Sequence, residues 1–227
     1  MDIIIGSARV DEKGGYTGGA AGDQKQTSTP DRSGEVSMQP FYLHKKGWII
    51  IRLKDPAQAR KMAIAVERGC NNPNLGYSML SDRLGIVRES TSTKKPVNCD
   101  CSSLMRVCFR EATGKDPGNF TTANEVATLE KTGLVEDPIP YTKGTPLYLG
   151  DILVTKSKGH TAAVVNAPER PKNAMADEDL TTRLAWDVIK GKAGTGWDAR
   201  RAYITACGGN VAMVRAKVNE LKKQGAF

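Results

Sequence analysis

Histidine is almost absent from this sequence: His44 and His160 are the only two in 227 residues. Any chemistry that needs an imidazole has two places to come from. Long apolar runs are missing as well, and nothing approaches the ~20 apolar residues of a membrane span. Membrane insertion is therefore not expected. There is no basic leader: Met1-Asp2-Ile3-Ile4-Ile5-Gly6 carries an acid and no lysine or arginine, which is not the pattern of a secretory signal. Complete disulfide pairing is excluded because five cysteines is an odd number. A free thiol fits a reduced compartment. Cys99, Cys101 and Cys108 lack the second Cys/His pair that a zinc knuckle needs, so neither a metal nor another cofactor is expected. The formal charge of +8 and pI near 9.3 would fit nucleic acid. No basic helix, aromatic platform or DNA-binding motif accompanies that charge, so nucleic acid is not the expected partner.

The charge is spread out: residues 177–227 carry +3 of it. A broad positive surface can aid solubility or adsorption to anionic polymers. The length suits one medium domain plus a small one, with a buried core.

The most informative stretch is Asn98-Cys99-Asp100-Cys101-Ser102-Ser103-Leu104-Met105-Arg106-Val107-Cys108. Leu104, Val107 and Cys108 fall on one helical face, and Asp100 or Ser102 can cap the helix start. Cys101 then sits in the first turn, beside unpaired backbone N–H groups and the positive end of the helix dipole. Both favour the thiolate, which is the nucleophile. A half-buried structural cysteine is the plainer alternative. A second stretch bears on the choice. Gly150-Asp151-Ile152-Leu153-Val154-Thr155, Lys156-Ser157-Lys158-Gly159 and His160-Thr161-Ala162-Ala163-Val164-Val165 read as strand, tight turn and strand. His160 opens the second strand. A cysteine and a histidine far apart in sequence but able to meet in space form a nucleophile and base.

These motifs resemble those of NlpC/P60-type papain-like cysteine peptidases and the related CHAP amidases. Asp100-Cys101-Ser102-Ser103-Leu104 resembles the nucleophile motif. Gly150-Asp151-Ile152-Leu153 and Gly159-His160-Thr161 resemble the histidine region. Gly22-Asp23-Gln24 and Asn72-Pro73-Asn74-Leu75-Gly76-Tyr77 resemble segments of phage and prophage lysins from Gram-positive hosts. The resemblance covers roughly residues 1–166 and implies an α+β, papain-like fold acting on peptidoglycan. Relatives run Gly-Asp-Gln almost directly into Glu-Val, whereas Lys25 to Gly34 stand between Gln24 and Glu35 here.

In chain order, Ile3-Ile4-Ile5 suggests a first strand, and residues 11–35 a long loop of the functional kind. Phe41–Leu43 and Trp48–Leu53 suggest two strands, with His44 a solvated residue in the turn between. Asp55-Pro56 opens a helix whose apolar face is Ala59, Met62, Ala63, Val66 and Cys70. Asn72 and Tyr77 are candidates to line a substrate cleft, Asn72 also being a candidate turn former. Thr121 to Glu125 reads as a capping box, starting a helix that runs to Gly133. Pro138 and Pro140 then break the chain. The superfamily these motifs resemble usually places the histidine's polar partner on the following strand; here Ala167-Pro168-Glu169-Arg170-Pro171 reads as linker, so the N-terminal region should supply it. Asp23 and Gln24 are the candidates, Gln24 alternatively as an oxyanion donor.

Residues 167–179 read as linker. Residues 180–227 read as a small three-helix bundle, with Leu184, Val188 and Ile189 on one helix and Val211, Val214, Val218 and Leu221 on another. Ala185-Trp186-Asp187-Val188-Ile189-Lys190-Gly191-Lys192, Gly194, Gly196, Arg200, Ile204 and Val214–Asn219 resemble a CW_7 repeat, the muropeptide-binding module of Cpl-7-type lysins. The repeat's usual Trp after Gly-Lys is Ala193 here, with Trp197 four residues on. The resemblance implies that Arg200 contacts muropeptide. The joint expectation is an endolysin: Cys101 and His160 cut a stem-peptide amide bond, as an endopeptidase or an N-acetylmuramoyl-L-alanine amidase. It would wait in the host cytoplasm until released, then act on the wall. The rival is a non-catalytic wall-binding or virion-structural protein that kept the fold.

Overall fold

The computed structural model describes residues 2–22, 34–170, 174–207 and 210–225. The chain divides into two compact units, Met1–Arg170 and Pro171–Phe227. The first is mixed α+β. Its elements in order are β1 (Ile4–Ala8), β2 (Val36–Pro40), β3 (Trp48–Ile51), α1 (Pro56–Cys70), β4 (Leu75–Tyr77), a 3-10 helix (Ser81–Arg88), β5 (Val97–Cys99), α2 (Cys101–Thr113), α3 (Glu125–Glu130), β6 (Ile139–Pro140), β7 (Ile152–Thr155) and β8 (Thr161–Asn166).

Six strands pair in the order β2-β1-β8-β7-β3-β6, every neighbour antiparallel. The period of two in each strand sorts side chains onto two faces. Ile152, Val154 and Ala163 join a core with Met62, Val66, Leu104, Val107 and Cys108 of α1 and α2. Ile5, Trp48, Ile50, Leu153, Ala162 and Val164 form a second core on the opposite face. In the second strand of the expected hairpin, Thr161 therefore faces the helices.

Several local expectations shift. Val36–Pro40, not Phe41–Leu43, pairs with β1. Val36, Ser37 and Met38 are buried, and Pro40, which cannot donate to a ladder, ends the strand. Ile139 and Pro140 do not simply break the chain: they add β6 at the sheet edge, where proline is tolerated. Helix α1 begins as expected, with the Asp55 side chain accepting from Ala57 N–H at 2.8 Å. Helix α3 does not start with a capping box. Asn124 precedes it without a side-chain cap, and Glu125 points inward.

Gly150 explains the Gly-Asp pair. Its φ is +83°, and a Cβ there would lie 2.1 Å from the Ala59 carbonyl oxygen of α1. Asp151 follows, accepting from Arg52 at 3.0 Å and from the Tyr148 amide at 2.9 Å. The pair fixes how β7 meets α1 and β3.

The second unit has α4 (Ala174–Ile189), α5 (Trp197–Ala206) and α6 (Val211–Lys223). Leu184, Ala185, Ile204, Val214 and Leu221 form its core. Helix α4 begins inside the stretch read from sequence as linker.

Gly150→Ala should destabilise the first unit by more than ~2 kcal/mol, since positive φ and steric overlap add. Gly144→Ala, at φ +98° with no atom within 4 Å of the new Cβ, should cost only about 1 kcal/mol. Urea denaturation of the two variants measures the difference.

Candidate active site

Helix α2 starts at Cys101 because Asp100 caps it twice over. The Asp100 carboxylate accepts from Ser103 N–H at 2.7 Å, and the Ser103 hydroxyl accepts from Asp100 N–H at 2.9 Å. Ser102 Oγ also donates to Asp100, and Arg83 bonds both its oxygens at 3.2 Å. Strand β5 leads straight into this cap, paired in parallel with β4. The partly exposed Cys101 thus stands on a fixed backbone.

Two backbone amides, those of Thr161 and Ser102, aim at the Cys101 sulfur. Thr161 is the residue after His160, so the cysteine and histidine motifs converge at one end of β8. Thr161 also reaches sideways: its hydroxyl donates to Glu125 Oε1 at 2.9 Å. Glu125 is fully buried, and its Oε2 has no partner. Sequence reasoning missed this residue by giving it to a capping box.

His160 does not touch Cys101. No hydrogen bond joins the two, and the imidazole lies on the Trp48 face of the sheet, with ring centroids 6.3 Å apart. Its Nε2 is 3.3 Å from Ser7 Oγ. The Ser7 hydroxyl proton has carbonyl acceptors at 2.8 Å (Thr161) and 3.0 Å (Ala8). With that proton engaged, Ser7 accepts from Nε2–H, which leaves the Nδ1 lone pair free. The N-terminal region thus supplies a polar partner for the histidine, though it is Ser7 of β1. Asp23 and Gln24 lie outside the described residues. Ser7 carried no signal in the sequence, because only the β1–β8 register brings it to His160.

Electrostatics oppose the expected thiolate. Burial comes first, then the nearby Asp100 and Glu125 carboxyls, and together they push the Cys101 thiol up to about 12 against the two amides. A helix terminus is worth at most ~2 kcal/mol, or roughly one and a half pKa units. Desolvation can shift a buried group by ~3–5 units, so burial wins. Burial likewise leads in pushing the His160 imidazole down to about 4, helped by the charges of Arg9 and His44. In the unliganded site both groups are neutral at pH 7.

The remaining candidates divide. The Tyr77 phenol is buried and held well above its ordinary range, first by desolvation and then by the proximity of Cys101 and Asp100. Asn72 is buried, its amide donating to Thr91 and Thr93 carbonyls at 3.0 Å. Its Oδ1 accepts from Asn74 N–H at 2.9 Å. That side chain holds a turn. His44 is not a free turn residue: it packs on Trp48 at 5.4 Å between centroids and shares a pocket with His160. In the second unit, Arg200 and Trp197 line a groove of about 390 Å³, and the Arg200 Nε is buried without a partner. Among the described residues no three His, Cys, Asp or Glu side chains gather as a metal site, and no helix is long and apolar enough to cross a membrane.

A helix-start cysteine packed near an antiparallel sheet makes a candidate thiol site on an α+β scaffold. A family model described as endolysin-like domain matches residues 5–171. The chain belongs to that family, which points to lytic action on the bacterial cell wall. No curated protein and no solved structure matches it significantly.

Glu125, the buried acid beside Cys101, gives a test by pH. Its carboxyl is pushed up to about 8 from 4.5, chiefly by burial, against the Thr161 hydrogen bond. Between those values the unfolded chain releases a proton that the folded protein keeps, so stability falls as pH rises from 4.5 to 8. Glu125→Gln should remove that decline, gaining on wild type by a few kcal/mol between pH 5 and 8. Urea midpoints at several pH values would show it; parallel curves would contradict the assignment.

Proposed function

We propose that the chain is a phage-type lysin whose first unit is a papain-like, NlpC/P60-type cysteine hydrolase of peptidoglycan stem peptides. What supports the reading is the Thr161 amide near Cys101, which brings the end of the histidine motif to the start of α2. Cys101 attacks a stem-peptide carbonyl. His160, through Nδ1, takes the thiol proton and returns it to the leaving amine. Because thiol and imidazole start neutral, the proton moves as the sulfur attacks rather than before. The imidazole turns about the end of β8 to reach the sulfur, giving up its Ser7 contact for the thiol. The amides of Ser102 and Thr161 stabilise the oxyanion. Tyr77 lines the approach.

The second unit acts as a CW_7-like anchor. Trp197 is exposed, with the Arg215 guanidinium 5.0 Å from its ring centre, and Arg200 brings an unpaired donor to the same groove. These groups suit a sugar-peptide ligand. The overall charge of +8 favours adsorption to anionic wall polymers. The protein waits in the host cytoplasm and meets the wall on release.

A second reading has its own support. The neutral thiol and the imidazole on the far sheet face fit a wall-binding or virion-structural protein that has lost turnover.

Mass spectrometry of fragments released from purified Gram-positive peptidoglycan separates the readings. Wild type should release products and Cys101→Ala none, while both pellet with walls. New peptide N-termini would define an endopeptidase, and glycan strands freed of intact stems an amidase. Undiminished release by Cys101→Ala would refute the thiol mechanism; none by either protein would favour the second reading. For the anchor, Trp197→Ala and Arg200→Ala should each weaken wall pull-down about tenfold, the scale of one interface hot spot.

A further inference from the structure

A pocket of about 470 Å³ opens on the second sheet face, lined by Arg9, Tyr16, Gln39, Tyr42, His44 and His160 among others. That volume suits a small ligand. Its rim is aromatic and exposed at Tyr16 and Tyr42. Asp11 fixes the loop that carries Tyr16, its buried carboxylate accepting from Lys13 N–H at 3.0 Å and Gly15 N–H at 2.7 Å.

Arg9 is the unusual member. Arg52, Arg60, Arg68, Arg83 and Arg106 of the same unit each hold a carboxylate. Among the described residues Arg9 holds none, and its Nη1 is buried with no hydrogen-bond partner there. A buried charged donor left unmatched costs free energy, and a ligand that brings an acceptor recovers it. The titratable neighbours facing Arg9 across the pocket are Tyr16, Tyr42, His44 and His160, with no acid among the lining residues. Among the described residues the lining has donors and positive potential but no acid.

We propose that this pocket binds the free carboxylate of a short peptide, with Arg9 as its ion-pair partner and the rings of Tyr16 and Tyr42 flanking the chain. The choice of a stem-peptide carboxylate rests on the wall-lytic reading; the anion pocket itself does not. A carboxylate at Arg9 would also neutralise one of the charges that now disfavour the imidazolium of His160. Occupancy would then raise the basicity of the histidine, so that ligand and base are coupled.

The test uses the full-length Cys101→Ala protein, which reads binding apart from turnover. Calorimetry with N-acetyl-L-alanyl-D-glutamate blocked at its γ-carboxyl as the methylamide, so that the α-carboxylate is its one anion, should show binding. The same peptide with its α-carboxylate amidated should bind at least tenfold more weakly, and Arg9→Gln should abolish that preference. Arg9→Lys, which keeps the charge, should retain part of it. Thermal melts confirm that each variant is folded. In NMR, the acid peptide should raise the His160 pKa and the amide should not. Equal affinity for acid and amide, an unchanged preference in Arg9→Gln, or no binding of either peptide would overturn the proposal. Binding of inorganic phosphate without the peptide would assign the pocket to phosphate and overturn it too. Acid-selective binding in a protein whose wild type releases nothing from walls would keep the pocket and sink the lytic reading.

Discussion

Thr161 is the joint on which the site depends. Its amide faces the Cys101 sulfur, and its hydroxyl donates to Glu125. Three elements distant in sequence, the start of α2, the start of α3 and the start of β8, meet on this one residue. The Asp100 cap fixes one side of the joint and the β1–β8 register the other. A hydrogen bond inside a fully buried environment counts for more than one at the surface, because the alternative is an unsatisfied donor away from water. Burial raises the Glu125 carboxyl to about 8 there, against the Thr161 hydrogen bond.

The same burial decides the state of the chemistry. A helix start and two amides stabilise a thiolate, yet desolvation and neighbouring carboxyls exceed them. Arg9 and His44 act on His160 in the opposite sense to a catalytic acid partner. The resting site is thus held with both protons where they are least reactive. A ligand that excludes water, supplies an anion near Arg9 and draws His160 around the end of β8 would shift each term toward reaction. Such coupling is reciprocal: whatever raises the basicity of the histidine on binding is bound more tightly by the protonated histidine.

Local chemistry was legible in the sequence. The cap and first turn around Cys101, the Asp55-Pro56 helix start, the strand that follows Gly150-Asp151 and the bundle stripe Val211, Val214, Val218, Leu221 all rest on residues within a few positions of one another. What could not be read depends on register. Ser7, Arg9 and His44 are unremarkable in sequence and acquire meaning only when β1, β8, β7 and β3 stand side by side in that order. Phe41–Leu43 has strand composition, but the ladder with β1 uses Val36–Pro40 instead. Glu125 fits a capping box by spacing, but the buried Thr161 hydroxyl is its partner. Asn72 and Tyr77 lie five residues apart and both are buried, Asn72 holding a turn. Side-chain alternation sends Thr161 to the helix face and the ring of His160 to the other.

The most direct measurement is acid-quenched intact-mass and peptide mapping of the protein mixed with a soluble stem-peptide substrate. The account predicts a transient acyl adduct on the peptide that contains Cys101, lost in His160→Ala because the thiol keeps its proton. Turnover that never shows an adduct on Cys101, and that persists in Cys101→Ala, would contradict it.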